Sequence, residues 1–228
     1  MINEKMILCL NSVVKQSSNV TVSGKIIEKS TAVDTYQDYY SNLMNRFTSN
    51  TIFPTYFQKV VNSGETYYSS SFGTNSSHTD YNFNSNSELN LTKMSDFELG
   101  SLKFQYGAKL YAPTKSVTFY IGNDFQWNGT IVADDMISAA KHIKIVYYGT
   151  DRVYIQTDFA GTIIAPNAEV VVGQSGKNFY GAIYAKSIVV HQNTKITWVP
   201  FISNSLSSIV AENGNSTTLD YAINILAR

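Results

Sequence analysis

The chain has 228 residues, enough for one domain or one domain with a large insertion, and 43% of them are hydrophobic, which supplies a core and excludes wholesale disorder. Only 15% are charged, and 17 basic residues cancel 17 acidic ones. That balance excludes an electrostatic nucleic-acid binder, which needs a basic stripe against phosphate, and a polybasic membrane-surface protein.

Solubility therefore rests on Asn, Ser, Thr and the 16 tyrosines, a composition common in secreted bacterial proteins. At the start, Met6-Ile7-Leu8-Cys9-Leu10 is too short for a signal-peptide core or a spanning helix. Cys9 is the single cysteine, so no internal disulfide forms, and Ile7 and Leu8 before it do not suit lipidation. We read it as a buried thiol. An exported protein with this beginning has lost its leader, or the chain starts inside a longer one.

Residues 19–27 read as a strand, a Ser23-Gly24 break and a second strand, resembling an early, isolated rung of a stacked repeat. Over 34–48 the period changes. Tyr36, Tyr40, Leu43 and Phe47 stand at helical spacing, Asp34 or Thr35 begins the stripe, and Asn50 and Pro54 lie past its end. A short apolar segment, Tyr56 to Val61, comes next. Residues 62–93 are Ser, Asn, Thr and Gly with Tyr67, Tyr68, Phe72, Tyr81 and Phe83 among them, and read as long loops with edge strands. We place a partly helical insertion at 30–97, its aromatics docking on the core rather than stacking on sugars.

From Leu99 the pattern is strands. The sequence then spells aromatic-x-Gly-small-Ile-x-Ala three times, at Trp127–Ala133, Phe159–Ala165 and Phe179–Ala185, with a degraded fourth copy at Gly107–Pro113. Self-similarity of this kind marks stacked units. The motif glycines, Gly107, Gly129, Gly161 and Gly181, are 22, 32 and 20 residues apart. A three-strand coil takes roughly twenty residues, so the long step predicts one coil carrying about a dozen extra. The glycine permits a corner, the Ile stacks inward on its counterparts, and the Ala fits the narrow interior. After Pro200, the tail 201–228 holds a short apolar run, Leu219 to Leu226, suited to covering an open end.

Chemistry is thinly signalled. The histidines His78, His142 and His191 have no second ligand at metal spacing, and Cys9 in an apolar run is not activated. Gly173-Gln174-Ser175-Gly176-Lys177 lacks the spacing of a phosphate loop and reads as a turn. Asp134-Asp135 is the most suggestive acidic pair, but adjacent strand residues point to opposite faces. The later copies place Pro166-Asn167 and Lys186-Ser187 there, so no acidic stripe is built and a solvated turn is the simpler reading. Asp151-Arg152 reads as a turn with an exposed ion pair. No catalytic, cofactor or metal residue is nominated.

Gly161-Thr162-Ile163-Ile164-Ala165-Pro166-Asn167-Ala168-Glu169-Val170 and Phe179-Tyr180-Gly181-Ala182-Ile183-Tyr184-Ala185-Lys186-Ser187-Ile188 resemble stretches of bacterial cell-surface β-helical domains. Such stretches occur in anchored collagen-binding-like adhesins and in minor-pilin-like proteins of type IV pili, and are distantly similar to bactofilins. The specific likeness covers about forty residues, Phe159 to Trp198. A pilin would also carry a long hydrophobic N-terminal helix, which this sequence lacks.

The expectation is a mostly β single domain, 1–228: a short right-handed parallel β-helix (β-solenoid) over 99–200 with a partly helical insertion near the N-terminus. A β-sandwich is the alternative fold. The resemblance implies a non-enzymatic extracellular structural or adhesive domain of a bacterial surface protein, such as a pilus-associated subunit. Its partners would be protein or carbohydrate at the cell surface or other subunits of an assembly, with no nucleic acid and no membrane contact. The alternatives are a carbohydrate-active β-helix enzyme, lyase or hydrolase, and a self-assembling scaffold.

Overall fold

A computed structural model describes residues 58–68, 79–91, 96–174 and 176–202 in full and, before them, the backbone of five short strands. These five are β1 (Ile2–Asn3), β2 (Met6–Ile7), β3 (Val13–Gln16), β4 (Val22–Ser23) and β5 (Ile26–Ile27). Then come β6 (Gln58–Val61), β7 (Thr66–Tyr68), β8 (Asp80–Phe83), β9 (Glu88–Asn90), β10 (Phe97–Phe104), β11 (Lys109–Tyr111), β12 (Val117–Trp127) and β13 (Thr130–Val132). A short helix α1 (Met136–Ala140) precedes β14 (Ile143–Tyr147), β15 (Val153–Ile155), β16 (Phe159–Ala160) and β17 (Thr162–Val172). Last are β18 (Asn178–Gly181), β19 (Ile183–Val190) and β20 (Lys195–Trp198).

Every pairing between these strands is parallel. A sandwich is built from antiparallel neighbours, so this pattern decides for a β-solenoid, here of about six turns. One column of paired residues shows the coil. Val61, Phe83, Phe104, Trp127, Ile155, Val172 and Val190 are register partners in succession, at steps of 22, 21, 23, 28, 17 and 18 residues. All seven are buried. The long step carries α1, whose N-cap is Asp135. Stacking begins at Gln58, so residues 58–68 and 79–91, read from sequence as loops and edge strands, supply two further coils.

Each coil has three limbs. The first bears Phe97, Phe119, Ile145, Ile163 and Ile183 in one inward column. The second holds the column from Val61 to Val190. The third runs through β7, β9, β11 and β13, and is taken up again by β16, β18 and β20. Inside, aromatic rings stack from coil to coil. Centroids lie 4.6 Å apart for Phe83–Phe104, 4.8 Å for Phe104–Trp127, 5.4 Å for Trp127–Phe159 and 5.5 Å for Phe159–Phe179. Each such pair adds about 0.5–1.5 kcal/mol beyond its area burial.

The ladder changes limb at Trp127–Phe159, and this explains the 32-residue step between motif glycines. Gly107 and Gly129 stand at the corner between second and third limbs, whereas Gly161 and Gly181 stand between third limb and first. Ile131 accordingly pairs with Leu110, while Ile163 pairs with Ile183 and Ala165 with Ala185. The motif copies therefore mark two corners, not one, and the inserted helix accounts for only part of the long step.

The first limb is apolar on both faces. Tyr120, Val146, Ile164 and Tyr184 form a second column opposite the core and are at most 7% exposed. Strands apolar on both sides are the signature of a parallel sheet covered on both. The expected helical stripe at 34–48, Cys9, His78 and the tail beyond residue 202 lie outside the described residues.

At the far end, β3 pairs with Ser187–Val190 of β19, β1 with Ile196–Thr197 of β20, β4 with β1, and β5 with β2. The sequence reading of 19–27 as two strands about a break agrees with β4 and β5. Their position beyond the last coil of the 58–198 run was not legible from order along the chain.

Candidate functional site

In the second limb the strand alternation that turns Phe, Val and Ile inward turns mostly polar residues outward. The outer face of the second limb is the most developed such surface. Its outward rows are Asp80, Ser101 and Asp124, continued by Glu169 and Ser187, and Asn82, Lys103, Gln126, Tyr154, Val171 and Val189. Most of its carboxylates are met by a neighbour. Lys103 Nζ lies 2.6 Å from Asp124, which also accepts from Gln126 at 3.1 Å. Arg152 lies 2.6 Å from Glu169, and Ser187 Oγ donates to Glu169 at 3.1 Å. On the third limb, Glu88 accepts from Lys109 Nζ at 2.9 Å and from Thr66 Oγ1 at 3.3 Å. The Lys109 contact is the chief cause holding the Glu88 carboxyl below its ordinary range. These pairs bridge successive coils and leave a face of little net charge.

Asp134 and Asp135 are both exposed. Asp135 accepts from Ile137 N at 3.0 Å and Ser138 N at 2.9 Å, capping α1, which fits the expectation of a structural turn. Arg152 pairs with Glu169 rather than with Asp151 beside it. Gly173 and Gly176 have φ of +86° and +77°, as the turn reading of this stretch requires. His191 is exposed. His142 lies 3.4 Å from Ser116 Oγ, and burial, then the charge of Lys141, push its imidazole below the ordinary value. Among the described residues no three His, Cys, Asp or Glu side chains gather as a metal site. No helix among them is long and apolar enough to cross a membrane.

Sequence reasoning did not find Lys144. It sits on the outer face of the first limb, 4.5 Å from the centre of the Phe201 ring. Burial pushes its ammonium below the ordinary lysine value, and the charge of Asp96 partly offsets this. Ile202 N donates to Lys141 O at 2.9 Å and Ser116 Oγ bonds Ile202 O, so the chain after β20 is tied back across this face. Exposed aromatics are the remaining feature: Tyr106 is 75%, Tyr68 50% and Tyr154 37% exposed. Tyr154 stacks under Arg152, 5.9 Å from ring centre to guanidinium.

Residues 29–204 match the family described as a domain of unknown function (DUF7305). No curated protein and no solved structure matches the chain.

Proposed function

We propose that this chain, which belongs to the DUF7305 family, is a non-enzymatic structural or adhesive domain of a bacterial surface protein. We take its coil as right-handed, the hand of nearly all parallel crossovers. The observation that carries the reading is how the outer carboxylates are used. Asp124, Glu169 and Glu88 each bind a Lys or Arg, and Asp135 caps a helix. A glycoside hydrolase needs two carboxyl groups free to act on one bond, and a calcium-assisted lyase needs several free to ligate. Here Asp124, Glu169 and Glu88 staple coil to coil, which suits a stiff wall. Such a wall presents Tyr68, Tyr106 and Tyr154 to protein or carbohydrate at the cell surface, or to other subunits of a pilus-like assembly.

Two measurements test this. Intact cells of the source organism are labelled with an antibody to the chain; labelling without permeabilisation is expected, and labelling only after it contradicts the surface assignment. Purified full-length chain with calcium is incubated with pectin, alginate and chitin. No new reducing or unsaturated ends are expected, and their release establishes the enzyme alternative.

A further inference from the structure

We propose that strands β1 to β5 form an end cap that keeps a second copy of this chain from stacking head-to-tail on the coil at 183–198. A cap of this kind acts in the same way wherever the protein works. The last coil of the continuous run ends in Ser187–Val190 and Lys195–Trp198, and its inward residues Ile188, Val190 and Ile196 are all buried. A terminal coil would present an open parallel edge above these side chains, the feature that templates association. The opposite end of the chain closes it. Val13, Val14, Lys15 and Gln16 pair with Ser187, Ile188, Val189 and Val190, while Ile2 and Asn3 pair with Ile196 and Thr197. A second layer lies on the first, Val22–Ser23 on Ile2–Asn3 and Ile26–Ile27 on Met6–Ile7.

Three observations make this segment a detachable cap. First, the family match begins at residue 29, just after it, so the cap lies outside the matched unit. Second, four of its five strands are only two residues long, against strands of up to 11 residues in the wall. Fewer ladder bonds per strand make it the first element to open. Third, residues 28–57 separate it from the first coil at Gln58. A chain of thirty residues spans at most roughly 100 Å, beyond the roughly 40 Å of eight rung steps, so chain length alone does not bind the cap to the first coil.

The contact that the cap excludes is legible at the other end of the stack. Among the described strands, β6 and β7 pair on one side only, with β8 and β9. Their corner matches that of the last coil: Val61 to Thr66 and Val190 to Lys195 are both five positions. The first coil of one copy can therefore continue both limbs of another's last coil at once, Val61 falling over Val190. The contact uses different surfaces on the two copies and does not close, so it propagates as a filament.

The test uses the full chain. Val14→Pro removes a ladder donor from β3, and its mass is followed by light scattering over a concentration series. Growth beyond about two copies is expected, since the contact is open-ended. A constant monomer that keeps its strand circular dichroism overturns the proposal. If that variant fails to fold, Lys15→Cys/Val189→Cys with Cys9→Ser decides, because these positions are register partners. Oxidation should form an intramolecular disulfide and abolish the mass growth that the reduced form shows at high concentration. No intramolecular disulfide, or growth no greater in the reduced form, overturns it.

Discussion

Replacing Gly181 by alanine should destabilise the wall more than any other single-methyl change at a turn. Its φ is +145°, and a Cβ built there would lie 1.9 Å from the carbonyl oxygen of Gly161 and 2.6 Å from its carbonyl carbon. Those are backbone atoms of the next coil, held by the Gly161 N to Tyr180 O bond of 2.8 Å, so no side chain can swing aside. The unfavourable backbone conformation costs about 1–3 kcal/mol and the overpacking about 1–3 more. For a chain of this length each kcal/mol is about 2–4 °C in Tm, so a loss of about 4 kcal/mol lowers Tm by about 8–16 °C. Gly176→Ala is the control. Its φ is also positive, +77°, but nothing lies within 4 Å of the added carbon, so only about 1–2 kcal/mol is lost. Thermal melts followed by circular dichroism compare the two. A Gly181→Ala variant that melts within error of Gly176→Ala refutes the coil-on-coil approach at this corner.

Other perturbations sort by what they touch. Trp127→Ala removes the step where the ring ladder changes limb and the indole bond to Asp158 O of 3.1 Å, and should cost about 3–5 kcal/mol by chemical denaturation. Arg152→Ala removes an ion pair whose arginine is about half exposed, and should cost less than about 1 kcal/mol. His142 has a folded pKa below its unfolded value, so the unfolded chain takes up its proton first as pH falls. Its contribution is present above the unfolded value near 6.5 and lost in acid below it; His142→Asn should flatten that part of the Tm–pH curve, and an unchanged curve counts against it.

The repeat in sequence located the wall because Gly, Ile and Ala are constrained at once by a corner, an inward column and a narrow interior. Phe159–Ala165 and Phe179–Ala185 behave as read: Ile163 stacks on Ile183 and Ala165 on Ala185. Trp127–Ala133 misled, since the same residue types suit a different corner, and spacing alone cannot separate one coil with an insertion from a shift by one limb. Residues 58–68 and 79–91 went unread as coils because their inward columns use Tyr81, Phe83 and Leu89 among polar neighbours, without the Gly-x-Ile-x-Ala signature. The coil-bridging pairs were hidden for another reason. Lys103–Asp124 and Lys109–Glu88 join residues 21 apart, a distance at which pairing depends on register and not on local pattern.

The stacking order itself is the central claim, and spin-label distances along one outer row measure it. Val60, Asn82, Lys103, Gln126, Tyr154, Val171 and Val189 succeed one another by register. In a Cys9→Ser background, labels at Val60 and in turn at Tyr154, Val171 and Val189 should be about 19, 24 and 29 Å apart at the backbone, one strand spacing more per coil. Distances that rise by this even increment, although the sequence separations are uneven, are what the solenoid requires. Distances that fail to rise in that order contradict it.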